Sequence, residues 1–429
     1  MMEVARLVSA SEHPPSSASA LLALASANTD VPMFYWEHPI EEVAILGLGI
    51  AHEIRAHGPT RFADAAARAK ALLAEIRRLD PAGNPLVVGG FGFAANDATA
   101  DEWREFPAAR LFVPELCWVL RAGHCHVTHV PRGPSQAIDV SSLRPASARA
   151  TPASDDEPAL WRRRVEAASA QIRAGSLTKV VLARRRALER VPAVDSASIL
   201  EFARERRSRC FNFCIGFGET SFVGSSPERL VQLSGTHVVS GALAGSIRRG
   251  ASADEDRRLG AELLGSSKNA REHALVVEAV RAALQGVVRP LSIGGPPELV
   301  TFPESFHLFT PIGGTLVRPM SVIELAGELH PTPAVCGTPR ETAQRLIERD
   351  EPGRGWYGGA VGWMAADGSG EFTVAIRSAL LDGPRVSLWA GAGIVEGSDP
   401  ESELAETESK MQALDRALRP RKKGDEAAA

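Results

Sequence analysis

Between residues 61 and 79 alanine and larger apolar positions recur three and four apart. The spacing predicts a helix with one buried face. The same period predicts helices over 159–174, 257–264, 270–284 and 402–418. Between them lie apolar runs too short for helices, which read as strands: 43–50, 86–93, 111–113, 117–120 and 179–183. Further strands are predicted over 212–217 and 221–223 around a glycine turn. A hairpin over 228–233 and 237–240 turns at Ser234-Gly235, and four long strands follow at 307–316, 358–364, 371–381 and 386–395.

These elements intermix without strict strand–helix–strand alternation. That favours a large α/β fold of the α+β type over a doubly wound parallel sheet. From 131 to 158 the chain turns rich in Pro, Ser and Ala, which reads as a loop or linker, and two lobes sharing one core are expected around it. The organisation expected is a variable N-terminal segment over 1–30, an N-terminal part of the fold with its linker over 31–158, a catalytic region over 159–420, and a frayed tail over 421–429.

The length of 429 residues leaves room for two or three small domains or one large one. A formal charge of −4 gives no general pull on nucleic acid or anionic lipid, and aromatic residues at 6% are too sparse for a base-stacking protein. No basic segment opens the chain ahead of an apolar stretch, and no apolar run reaches the roughly 18 residues of a membrane helix. Five scattered cysteines read as reduced thiols. A cytoplasmic protein with no nucleic-acid and no membrane partner is expected.

Two patterns tempt and fail. Gly47-Leu48-Gly49 resembles a dinucleotide-binding turn, but His52 stands where the third glycine belongs. His124-Cys125-His126 with His129 resembles a metal cluster, but in a strand Cys125 points away from both neighbours, and no second ligand group sits at zinc spacing. Cys210 and Cys214, four apart in an apolar segment, read as buried thiols.

Other polar residues sit where a plain core would not want them. Lys179 heads an apolar strand; alone it reads as an edge lysine with its amine in water, but a partly buried amine would serve as a general base. Glu228 follows Ser226-Pro227 just past an apolar strand. It is either a surface turn residue or a carboxyl kept protonated by apolar surroundings, ready to act as an acid. Glu272 lies near the apolar boundary of its helix. Glu403, Glu406 and Lys410 share one face of another, an arrangement that usually serves only to stabilise a solvated surface. Carboxylates from two helices without a His or Cys cluster also suit a hard cation such as Mg²⁺. Arg377 interrupts an apolar strand and needs an anionic partner, and Gly391-Ala392-Gly393 would admit an anion close to the backbone.

Seven blocks in order between 176 and 418 resemble the chorismate-utilising enzymes, and among them the isochorismate synthases. They are Lys179-Val180-Val181-Leu182-Ala183-Arg184; Ser226-Pro227-Glu228-Arg229-Leu230; Ala242-Leu243-Ala244-Gly245-Ser246; Glu272-His273; His307-Leu308; Gly391-Ala392-Gly393-Ile394-Val395; and Glu406-Thr407 with Lys410. Phe34-Tyr35-Trp36 and Gly89-Gly90-Phe91 extend the resemblance more loosely to the N-terminal part. The resemblance implies one large domain of two stacked antiparallel sheets flanked by helices, with the site in a cleft. It implies Lys179 as the base that activates water for attack at C2 of chorismate, and Glu228 as the acid that helps the C4 hydroxyl leave. It further implies Mg²⁺ held by Glu272 and Glu406, with Glu403 near enough to support a ligand or reach the ion through water. Gly245, Ser246, Gly393 and Lys410 are implied around the ring carboxylate, Tyr357 and Arg377 on the enolpyruvyl side, and His307 as the family's active-site histidine.

Within the family, a lysine at 179 points to water rather than ammonia as nucleophile, so no glutaminase subunit is expected. The apolar Ala334-Val335 pair in His330-Pro331-Thr332-Pro333-Ala334-Val335 points to a reaction that stops at isochorismate. The salicylate synthases, which go on to eliminate pyruvate, tend to place Thr at that alanine. A salicylate synthase and a catalytically silent chorismate-binding relative are the alternatives. A monomer is expected, and the menaquinone branch is favoured over the siderophore branch.

Overall fold

The computed structural model describes residues 15–97, 100–132, 157–189, 195–351 and 353–418. Among them the chain builds two antiparallel sheets of ten strands each, stacked face to face. The first runs in the order Gly337–Thr338, Lys179–Glu189, Arg385–Ile394, Ser378–Asp382, Thr220–Ser226, Phe211–Phe217, Met33–His38, Val43–Leu48, Leu116–Arg121 and His124–His129. The second runs Val288–Ile293, Ser305–Leu316, His237–Arg248, Arg229–Ser234, Gly370–Val374, Ala360–Ala365, Leu86–Phe91, Ala109–Val113 and His52–Ala56, with Glu298–Thr301 also paired to Ser305–Leu316.

Alternation along the strands sorts side chains into layers. In Met33–His38, Phe34 and Trp36 point into the space between the sheets, while Met33 and Tyr35 pack under the helices outside. The inter-sheet layer is aromatic, built from Trp36, Trp103, Phe106, Phe112, Phe222 and Trp356. Such rings fill the gap of about 10 Å between stacked sheets. Helices Ala18–Ser26 and Ser196–Arg206 cover the first sheet at its middle, and Pro158–Arg173 and Pro400–Asp415 cover it near the Lys179 strand. Helices Arg61–Leu79, Ser267–Leu284 and Val322–Leu329 cover the second. Both faces of the central strands are buried, which is why their sequences read as continuous apolar runs.

The helix expected over 61–79 spans Arg61–Leu79, and that over 402–418 begins two residues earlier at Pro400–Asp415. The strand expected over 371–381 is instead two, Gly370–Val374 in the second sheet and Ser378–Asp382 in the first. The chain switches sheets at Ala375-Ile376-Arg377, where Arg377 takes a left-handed φ of 52°, and nothing in the apolar pattern marks that break. Gly47 ends an ordinary antiparallel strand with no helix after it, so it has no phosphate-binding context. His124 and His126 are exposed on an edge strand, while Cys210 and Cys214 are buried free thiols. No helix among the described residues is long and apolar enough to cross a membrane. Most of the expected linker, at 133–156, and the whole tail at 421–429 lie outside the described residues.

Candidate active site

Two sheet-switching segments lie side by side at the seam between the sheets. Pro227-Glu228 carries the chain from Thr220–Ser226 to Arg229–Ser234, and Ala375-Ile376-Arg377 carries it back. They are bonded to each other: Val374 N donates to Glu228 O at 3.0 Å, and Ser225 N donates to Arg377 O at 3.0 Å. The crossing therefore presents a carboxyl and a guanidinium to one hollow.

That hollow, about 160 Å³, is lined by Glu228, Gly245, Ser246, Glu272, His307, Ala334, Arg377, Gly393, Glu406 and Lys410, ten residues singled out from the sequence. Ser246, Arg377, Glu406 and Lys410 also line an adjoining space of about 270 Å³. A larger hollow of about 780 Å³ lies outside the first sheet, beside Glu37 and Arg204. There Arg204 already donates to Glu37 at 2.8 Å, and Tyr35 Oη donates to the same carboxylate, so its buried polar groups satisfy one another. The smaller cavity is the one that gathers the residues singled out from the sequence.

Lys179 sits just beneath the cavity wall, fully buried, and donates from Nζ to Glu272 Oε1 at 2.9 Å. The helix Ser267–Leu284 brings Glu272 there, held to the second sheet by His273, whose ring nitrogens meet Ala244 O at 3.1 Å and Thr310 Oγ1 at 2.8 Å. Gly393 makes the approach possible. A Cβ on it would lie 2.5 Å from Glu272 Oε1 and 3.1 Å from Lys179 Cε. Its role in this structure is thus to make room for the ion pair.

Burial pushes the Glu228 carboxyl up to about 8, although Lys179, Arg377 and the Thr332 hydroxyl pull it the other way. It is protonated at neutral pH. Burial pushes His307 down to about 3, helped by Arg377 and Lys410, so its ring is neutral; Nε2 meets Ser305 Oγ at 2.9 Å. Burial also pushes the Tyr357 hydroxyl up to about 12. Tyr357 stands behind the wall, its Oη 3.2 Å from where a Cβ on Gly391 would lie. The Arg377 guanidinium makes no hydrogen bond or ion pair among the described residues, and its positive charge faces the cavity. That is the arrangement an incoming carboxylate would complete.

Glu406 is half-buried, and the desolvation this brings would raise it, but Lys410, Lys268 and Ser246 hold it down at about 2. Lys410 Nζ lies 2.6 Å from Glu406 Oε1 and donates to Gly391 O at 2.8 Å, while Ser246 Oγ donates to Glu406 Oε1 at 3.2 Å. A bulge between Ala244 and Ser246, with Gly245 at φ 79°, aims Ser246 at that carboxylate. Glu403 does not line the cavity. It is buried one turn away and accepts from Lys268 Nζ at 2.8 Å, and burial and Glu406 push its carboxyl up. Among the described residues no three His, Cys, Asp or Glu side chains converge into a cation cage. Of the three carboxyl groups that line the cavity, Glu272 and Glu406 are left to donate to a cation, since Glu228 holds its proton. Hard oxygen donors in that number fit Mg²⁺, which completes its shell with water and substrate.

Three residues of the site were not singled out from the sequence. Lys268 stands one turn before Glu272, and that spacing was a usable signal. Asn269 lines the cavity beside Gly245. Thr332 lies two residues before Ala334, and its hydroxyl faces Glu228; only the fold shows that proximity.

The profile of the family described as "Chorismate binding enzyme" matches residues 3–419. The chain is 36% identical to the salicylate biosynthesis isochorismate synthase of Pseudomonas aeruginosa, over 90% of this chain and 85% of that protein. It is 33% identical to the isochorismate synthase MenF of Bacillus subtilis, over 90% and 87%. The structure superposes on that of the menaquinone-specific isochorismate synthase MenF of Escherichia coli with a TM-score of 0.76 at 29% identity, covering 93% of this chain and 91% of that one. With the expected stacked sheets in place, the site at their seam and a family match along nearly its whole length, this chain belongs to the chorismate-binding enzyme family.

Proposed function

We propose that this enzyme is an isochorismate synthase, converting chorismate to isochorismate. The observation that carries the reading is a buried lysine bonded to a wall carboxylate, and a protonated glutamic acid on the lining, of one small cavity whose free guanidinium awaits an anion. Substrate carboxylate on Arg377 would fix the ring between them. In its neutral amine form, with the proton it shares with Glu272 given up, Lys179 takes a proton from water as its oxygen bonds to C2. The double bond shifts, and the C4 hydroxyl leaves with the proton of Glu228 as water. One water enters and one departs, so the reaction is an isomerisation with no redox change, and the two residues exchange roles on reversal.

Mg²⁺ is part of the proposal. Glu272 and Glu406 would hold it, and bound there it would neutralise the ring carboxylate. One relative is named for salicylate biosynthesis and one solved structure as menaquinone-specific, so salicylate and menaquinone supply are both natural destinations of the product. The test is incubation of the protein with chorismate, with and without Mg²⁺, separating products and assaying pyruvate. Isochorismate in equilibrium with chorismate and little pyruvate is expected. Salicylate with matching pyruvate would replace the proposal with a salicylate synthase, and no turnover would refute it.

A further inference from the structure

Behind the cavity wall a single buried ion pair gathers backbone from three places. Arg354, 4% exposed, donates from Nε to Glu351 Oε2 at 2.6 Å and from Nη2 to Glu351 Oε1 at 2.8 Å. Glu351 Oε1 also accepts from Ala183 N at 2.8 Å. The rest of the guanidinium reaches two carbonyls: Nη1 donates to Val335 O at 2.6 Å, and Nη2 donates to Val181 O at 2.6 Å. Its flat face lies 4.5 Å from the centre of the Phe93 ring.

The two carbonyls belong to the elements that bear the chemistry. Val181 is two residues past Lys179, and Val335 directly follows Ala334. The two-residue strand Gly337–Thr338 pairs only with Val180 and Lys179. Val181 N is taken up by Cys336 O at 2.7 Å, and Val181 O, beyond the end of that short strand, finds Arg354 instead. The turn from Thr332 is closed on itself by Val335 N and Cys336 N, both donating to Thr332 O. Arg354 thus joins the strand of Lys179 to the turn that points Thr332 at Glu228 and Ala334 into the cavity. An ion pair this deep carries a desolvation cost that apolar side chains would avoid, so plain stability does not explain it. A fork that satisfies two carbonyls at a fixed distance does.

We infer that Arg354, oriented by Glu351, is a positioning residue that sets the base-bearing strand against the turn facing the acid. It lines neither cavity space and touches no substrate position. The inference rests on the reading of Lys179 and Glu228 as base and acid.

The test compares wild type with Arg354→Lys and Glu351→Gln, measuring kcat, KM for chorismate, the pH dependence of kcat/KM and the melting temperature. Lysine keeps the charge but cannot hold both carbonyls and the carboxylate as a planar fork. The expected result is a kcat loss of roughly 10²-fold, the scale for misplacing reacting groups by about 1 Å, with KM nearly unchanged. The falling alkaline limb should also move, because Thr332 shifts against Glu228. A lower melting temperature with wild-type kcat, KM and pH profile in both variants would overturn the inference and leave a structural pair. Should Arg354→Lys fail to fold, Glu351→Gln, which keeps an oxygen for Arg354 or Ala183, reads the same quantities. Absence of chorismate turnover in the wild type would instead bring down the underlying assignment of base and acid, a result seen before any variant is made.

Discussion

Replacing Glu228 by Gln separates what this residue does for the reaction from what it costs the fold. Its carboxyl is 5% exposed and is pushed from 4.5 up to about 8, chiefly by burial. In the unfolded chain the proton leaves near 4.5; in the folded chain it stays until about 8. Between those values the folded state binds the extra proton, so its stability falls as pH rises, by about 1.4 kcal/mol per pH unit for this group. The penalty is absent below 4.5 and complete above about 8, where the difference amounts to about 5 kcal/mol as an upper bound. Glutamine keeps the shape and does not titrate. Glu228→Gln is therefore expected to match the wild type in stability near pH 5 and to exceed it progressively up to pH 8. Parallel thermal melts or urea unfolding of both proteins across pH 5–9 measure the gap. The same variant should lose about 10²–10⁴-fold in turnover, the contribution of a positioned general acid. Wild-type kcat/KM should fall on the alkaline side near pH 8 as the acid loses its proton. A stability gap that stays constant from pH 5 to 8 would refute the claim that burial holds this carboxyl protonated.

Lys179→Ala removes the proposed base and the partner of Glu272, and a fall in isochorismate formation of at least about 10²-fold is expected in a product assay, with the fold retained by circular dichroism. Glu406→Gln removes a charge that Lys410, Lys268 and Ser246 all stabilise; titration of the activity with Mg²⁺ should show affinity weakened at least about tenfold, and an unchanged titration would free Glu406 of metal duty. Ala334→Thr places a hydroxyl in the cavity, and a shift of about 1.4 kcal/mol between the two exits would raise pyruvate per chorismate consumed about tenfold, which a coupled lactate dehydrogenase assay would detect.

The helix Arg61–Leu79 is legible because one buried stripe repeats along a single continuous element. The central strands are legible because both their faces are covered, one by aromatic rings and one by helices. The sheet switch at Arg377 is not, since an apolar run looks the same whether it stays in one sheet or crosses to the other, and a left-handed arginine has no local signature. For the same reason two lobes are a natural reading of the sequence, although strands from both halves pair throughout each sheet. Within the site, residue types are legible and partners are not. Lys179 and Glu272 stand 93 positions apart, and only pairing through Gly393 brings them within 2.9 Å. Glu403 illustrates the limit. Its helical spacing places it one turn from Glu406, but only the fold shows that it is buried against Lys268.

The crossing of the chain at the seam also bears on how this enzyme fails. Glu228 and Arg377 are not carried on loops that can open while the scaffold stays closed; each lies where the backbone passes between the two layers and is bonded to the other passage. Drawing the two passages apart would part the layers and disturb the aromatic interior around Trp356 and Phe222. Activity and fold are therefore expected to be lost together on heating, which parallel activity and circular dichroism melts would check. Substrate traffic must instead run through the fringe of charged side chains at Arg248, Glu304 and Lys410, which can rearrange without disturbing either sheet.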